Sequence, residues 1–126
     1  MSEHSNLISL GDIQQLVGNE QTFVLNIIAA WCSDCTERQA PLFNAFTELL
    51  AEQGITVYQL LAQQQKNQFI DDEIAAFVDS VGGHGFPRTV YFSRGLSTAL
   101  NEIELITSDL LHDYSDKIVS VHEKTN

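Results

Sequence analysis

Trp31-Cys32-Ser33-Asp34-Cys35 lies at the seam between two hydrophobic patterns, and what flanks it decides the fold. Before it runs Phe23-Val24-Leu25-Asn26-Ile27-Ile28-Ala29-Ala30, apolar at every position but one. Such a run, without polar alternation, is expected of a strand covered on both faces, as in a parallel or mixed sheet. After it the spacing turns helical. Leu42, Phe43, Phe46, Leu49 and Leu50 share one face, while Glu37, Arg38, Asn44, Glu48 and Glu52 fall largely elsewhere. Cys32 and Cys35 are the only cysteines, and they sit where a buried strand hands over to a helix. Free N–H groups and the positive end of the helix dipole favour a thiolate at the first cysteine. Cys35, about one turn deeper, is expected to be the better shielded sulfur. One accessible thiolate beside one shielded thiol is the arrangement that dithiol exchange requires.

Working outward, Ser9 is placed to cap a short helix around Asp12 to Val17, ended near Gly18-Asn19. Gly54 ends the long helix, and Ile55 to Leu61 reads as a second buried strand. Gln63-Gln64-Gln65, followed by Lys66-Asn67-Gln68, reads as a loop or frayed helix start. Asp71-Asp72-Glu73 puts acid where a helix begins, and Ile74, Phe77, Val78 and Val81 form its apolar stripe. Gly82-Gly83-His84-Gly85 breaks it. Thr89 to Phe92 is a third strand, Arg94-Gly95 a turn, and Leu96 to Leu105 holds a fourth strand. Thr107 or Ser108 caps a last helix through about Val119, with Leu110, Leu111, Tyr114 and Ile118 inward. Strand–helix–strand alternation implies a parallel crossover, and the final strand pair adds an antiparallel portion. The expected class is α/β, a three-layer α/β/α sandwich over a mixed central sheet, in one domain spanning residues 1–126.

Bulk composition narrows the function. Hydrophobic residues make up 44 % of the 126, enough for one core without disulfide staples. Six basic residues stand against seventeen acidic ones, for a net charge of −11. That excess opposes binding to nucleic acid and to anionic membranes, both of which rely on Lys and Arg. The N-terminus shows no basic segment followed by an apolar one, and no run is long enough to span a bilayer, so a cytoplasmic location is expected. In a reducing compartment, paired cysteines point to redox chemistry or metal binding. A zinc site needs two more good ligands, and His4, His84, His112 and His122 are scattered. No metal is expected.

The motif set resembles the thioredoxin family. Trp31 precedes Cys32 as the family's active-site Trp does. Pro41 follows Cys35 by six residues, where thioredoxins carry the proline that kinks the active-site helix. Gly85-Phe86-Pro87 stands directly before a strand, where the family has a cis-proline facing the cysteines. The resemblance covers about Ile8 to Val119. It implies the thioredoxin fold, catalysis by Cys32 and Cys35, and substrate contacts from Trp31, Phe86 and Pro87. It also implies a protein-disulfide reductase that needs no cofactor, acting on a disulfide-containing client and recharged by a reductase-type electron donor. A thioredoxin-fold binding or chaperone-like module is the alternative from another class. A glutathione-dependent, glutaredoxin-like enzyme is a third, opposed by Trp31 and by the missing aromatic between the cysteines.

Four departures from the family pattern modulate that expectation. Ser33-Asp34 replaces Gly-Pro, and Asp34 brings negative charge beside the sulfurs. Asn26 stands where the family has a buried Asp that helps move the proton of the resolving cysteine. An amide cannot do so at neutral pH, though it can hydrogen-bond within the core. The segment between Ile55 and Pro87 is longer than in a minimal thioredoxin. The glycine before the last helix is absent, leaving Glu102 and Glu104 near the expected groove. Arg38 and Arg88 are expected near the active-site face, where they offset Asp34 and help hold Cys32 as thiolate, or contact an acidic client, or else lie as solvated surface cations. His84, in the loop before Pro87, is a further residue within reach of the site.

Overall fold

Strand β1 (Phe23–Ala29) is the middle of a five-stranded mixed sheet ordered β3-β2-β1-β4-β5. The computed structural model describes residues 6–83 and 85–125, so His4 and His84 lie outside the described residues. On one side β1 pairs in parallel with β2 (Thr56–Gln65), and on the other it pairs antiparallel with β4 (Arg88–Ser93). The crossover between β1 and β2 is a helical stretch comprising a π-helical segment (Asp34–Gln39) and α2 (Ala40–Ala51). The short strand β3 (Gln68–Phe69) and β5 (Leu96–Ile103) close the two edges as antiparallel partners.

The unbroken apolar run has the physical origin the pattern implied. Alternate β1 side chains point to opposite faces. Phe23, Leu25, Ile27 and Ala29 pack into one core with Ile13 of α1 (Leu10–Gly18) and Ile74 and Val78 of α3 (Asp72–Ser80). Val24 packs into the other with Phe43, Phe46 and Leu50 of α2 and Leu111, Tyr114 and Ile118 of α4 (Ser108–Thr125). Both faces are covered, giving three layers.

Local signals set the helix ends. Ser9 and Asp12 form a reciprocal capping box at α1. The Asp71 carboxylate accepts from the Ile74 N–H at 2.8 Å to cap α3. Thr107 Oγ1 accepts from the Leu110 N–H at the start of α4. The Arg94-Gly95 turn has both residues at positive φ, and a Cβ on Gly95 would lie 2.6 Å from the Val17 carbonyl oxygen. Gly95 thus lets the β4–β5 hairpin sit directly on the end of α1.

Three boundaries differ from the sequence reading. Gln63-Gln64-Gln65 is the end of β2, not a loop, and it turns back through Lys66-Asn67 into β3. Polar composition suggested a loop, but this stretch is held by strand pairing and by a buried partner for Gln63. The last helix runs six residues past Val119, to Thr125. Strand β5 stops at Ile103, because Glu104 takes φ 59° and donates its N–H to the Pro87 carbonyl at 2.8 Å.

Candidate active site

Cys32 stands at the mouth of the helix, where its carbonyl accepts from the Cys35 N–H at 3.1 Å and from the Thr36 N–H at 3.0 Å. This first turn presents both sulfurs to the same core that holds Phe86. Both thiols are free, and they are nearly equally buried, with Cys32 7 % exposed and Cys35 4 %. The sequence expectation of one accessible and one shielded sulfur therefore needs correction. The Cys32 thiol faces the loop before β4 and donates to the Phe86 carbonyl at 3.7 Å. A thiolate cannot make that bond, so attack on an external disulfide requires the sulfur to leave it. The Phe86–Pro87 peptide bond is cis, and both side chains are buried. Burial pushes the Cys35 thiol up to about 12, with an opposing hydrogen bond from the Ala29 backbone and smaller upward contributions from Cys32 and Asp34.

Trp31 is half-buried and held from three sides. Its ring meets Phe86 edge-on at 6.3 Å, and its Nε1 donates to Gln63 Oε1 at 2.9 Å. The Lys66 ammonium lies 5.7 Å from its ring centroid. Gln63 reaches the indole because β2 bulges. Ile28 pairs with Leu61 but Ala29 with Gln63, so Ala62 is an extra residue and the Gln63 side chain is re-aimed. The Gln63 oxygen also accepts from the Asn67 N–H at 3.2 Å, tying the hairpin tip to the tryptophan. The polar composition of Gln63-Gln64-Gln65 hid this. Replacing Gln63 by Leu leaves the indole N–H and the Asn67 N–H without that acceptor. We expect a loss of about 1–3 kcal/mol in chemical denaturation and a shift in the emission of Trp31, the only tryptophan.

Asn26 is fully buried within a chain of amides. Its Nδ2 donates to Gln39 Oε1 at 2.9 Å and to Thr89 Oγ1 at 3.1 Å, and its Oδ1 accepts from Gln59 Nε2 at 2.9 Å. Gln39 passes the chain on, donating to the Leu105 carbonyl at 2.9 Å. Every member is satisfied, which is the condition for a polar group at this depth. None of these bonds reaches a cysteine, and among the described residues Asn26 is hydrogen-bonded to the cysteine-bearing helix through Gln39. The π-helical turn places Gln39 there, since Ala40 N–H bonds to the Cys35 carbonyl five residues back rather than four. A regular 3.6-residue reading could not find this.

The two arginines behave differently. Arg38 is exposed and pairs with Asp34 at 3.4 Å, one helical turn away. Arg88, by contrast, is buried and not a solvated surface cation. It donates to Asn101 Oδ1 at 2.6 Å and to the Gly82 carbonyl at 3.3 Å, and Asn101 donates to the Val81 carbonyl. A Cβ on Gly82 would overlap this guanidinium, so the glycine makes room for it. These bonds direct Arg88 to the end of α3.

No family model matches the chain, and no curated protein matches its sequence. Its fold does match solved structures. A thioredoxin of Plasmodium falciparum superposes with a TM-score of 0.65 at 11 % identity, over 89 % of this chain and 97 % of that one. A thioredoxin of Malassezia sympodialis gives 0.63 at 19 % identity, over 87 % of each chain. A thioredoxin of Nicotiana alata gives 0.63 at 16 %, over 93 % and 96 %. The protein has the thioredoxin fold, with Cys32 and Cys35 close together at the start of the crossover helix.

Proposed function

We propose that this protein is a thiol–disulfide oxidoreductase that reduces protein disulfides through Cys32 and Cys35. The observation that carries this reading is the meeting of two free thiols at a helix mouth, against Trp31 and the Phe86–Pro87 loop. The Cys32 thiolate attacks one sulfur of the client disulfide. A Cys32–client disulfide forms, the client bond breaks, and the other client sulfur leaves as thiolate. Cys35, having lost its proton to solvent or to a departing thiolate, attacks the Cys32 sulfur and releases the second client thiolate. Two electrons pass to the client, and Cys32–Cys35 becomes the disulfide. A reductase-type dithiol donor returns the electrons, without an organic cofactor or metal. In this reading Trp31, Phe86 and Pro87 border the client, and Arg38 offsets the charge of Asp34. The acting unit is the single domain, in the cytoplasm, without nucleic-acid or membrane partners. No helix among the described residues is long and apolar enough to cross a membrane.

One observation favours the alternative of a binding or chaperone-like module with little turnover. Both sulfurs are buried, and the Cys35 thiol is strongly held in its protonated form. A Cys35→Ser variant separates the two readings. Exchange requires that it accumulate mixed disulfides through Cys32, visible as reductant-sensitive bands that are absent from Cys32→Ser. It also requires that the wild type reduce a model disulfide protein. Identical gels with and without reductant, and no reduction by the wild type, would leave the binding module.

A further inference from the structure

The hairpin between β2 and β3 does more than connect β2 to α3. It folds back so that Lys66 lies over the Trp31 ring, and one oxygen of Gln63 bonds both the indole and the turn. Trp31 in turn meets Phe86, whose carbonyl holds the Cys32 thiol. Lys66, Trp31, Phe86 and Cys32 thus form one contiguous series of contacts. Among the described residues Lys66 has no ion pair, whereas the Arg38 cation is committed to Asp34. Lys66 is also exposed, in a protein of net charge −11. Across the loop, the residue whose N–H binds the Pro87 carbonyl is the exposed acid Glu104.

We propose that the β2–β3 hairpin forms one wall of the client groove and that Lys66 selects disulfides flanked by an acidic residue. The proposal rests on the oxidoreductase reading of Cys32 and Cys35. An ammonium seated on an indole is fixed over the ring by the attraction between cation and π-face. It stays hydrated enough to meet a client carboxylate at the rim, within the screening length of ordinary buffers. The remaining surface, being acidic, would otherwise repel such a client, so one placed cation is enough to create a preference.

The test uses three disulfide-bridged fluorogenic peptides, identical except for Glu, Gln or Lys beside the bridged cysteine, with a dithiol reductant for recycling. Turnover of each is compared in the wild type, Lys66→Gln and Lys66→Glu. The expected result is that kcat/KM of the wild type favours the Glu peptide over the Lys peptide by about threefold to tenfold at low salt, and less at about 0.5 M. Lys66→Gln should flatten the preference and Lys66→Glu should reverse it, chiefly through KM. Turnover of all three peptides with the same order in every variant overturns the role of Lys66 and leaves the oxidoreductase reading standing. No turnover of any peptide by the wild type overturns both.

Discussion

Asn26→Asp is expected to destabilise the protein by about 3 kcal/mol or more at neutral pH, although it restores the residue that the thioredoxin pattern carries at this position. Asn26 Nδ2 is the donor in two bonds, to Gln39 Oε1 and Thr89 Oγ1. A carboxylate oxygen in its place still receives Gln59, and the Thr89 hydroxyl can rotate to donate. It then faces Gln39 Oε1, acceptor against acceptor. Rotating the Gln39 amide only moves the conflict, since its Nε2 is already needed by the Leu105 carbonyl. Protonation removes the clash, because a carboxylic acid can donate where the amide did. The new Asp therefore holds its proton more tightly folded than unfolded. A group with a raised folded pKa contributes stability below its unfolded value, about 3.9 for Asp, and loses it as pH rises through the folded one. The stability gap to wild type should widen between about pH 4 and pH 7, read by urea denaturation at each pH. A gap that is constant across this range, or a more stable variant, would refute the amide chain as drawn.

That result bears on how far the sequence could be read. The strand Phe23–Ala29 was legible because burial on both faces leaves no polar alternation, and the same logic gave β4. The cap at Ser9 was legible because it satisfies a helix N–H with its own side chain, whereas at Asp71 the acidic run marked the helix start and not the cap itself. Illegible were the features made by pairing across distance. Gln63 and Gln39 look like surface residues, yet both are fully buried. A bulge turned one and a π-helical turn the other, and neither irregularity has a compositional signature. Arg88 was only half legible. Its position beside Pro87 can be read from the sequence, but its burial, in the space that Gly82 leaves and on Asn101, cannot. The motif Trp31-Cys32-Ser33-Asp34-Cys35 thus located the two thiols, while the groups packed around them are distant in sequence.

In the proposed exchange, the step most affected by that surrounding is resolution by Cys35. With the thiol pushed up to about 12 from an ordinary 9.0, the thiolate at pH 7 falls from about one in 10² to about one in 10⁵. A more basic sulfur is also a better nucleophile, which offsets part of this loss, so attack should be slower by about one to two orders of magnitude than from an unperturbed thiol. Loading Cys32 with an aromatic thiol reagent gives a mixed disulfide whose resolution releases a coloured thiolate. Its rate should rise about tenfold per pH unit from pH 6 to 9, without a plateau. In the mixed disulfide the Cys32 charge is gone, which relieves part of the upward shift, but burial, the largest cause, remains. Asp34→Asn removes the smallest of the named causes and should accelerate resolution only a few-fold across the range. A plateau below pH 8 would refute the raised Cys35 thiol, unless a nearby group takes its proton, the role for which Asn26 is chemically unfit.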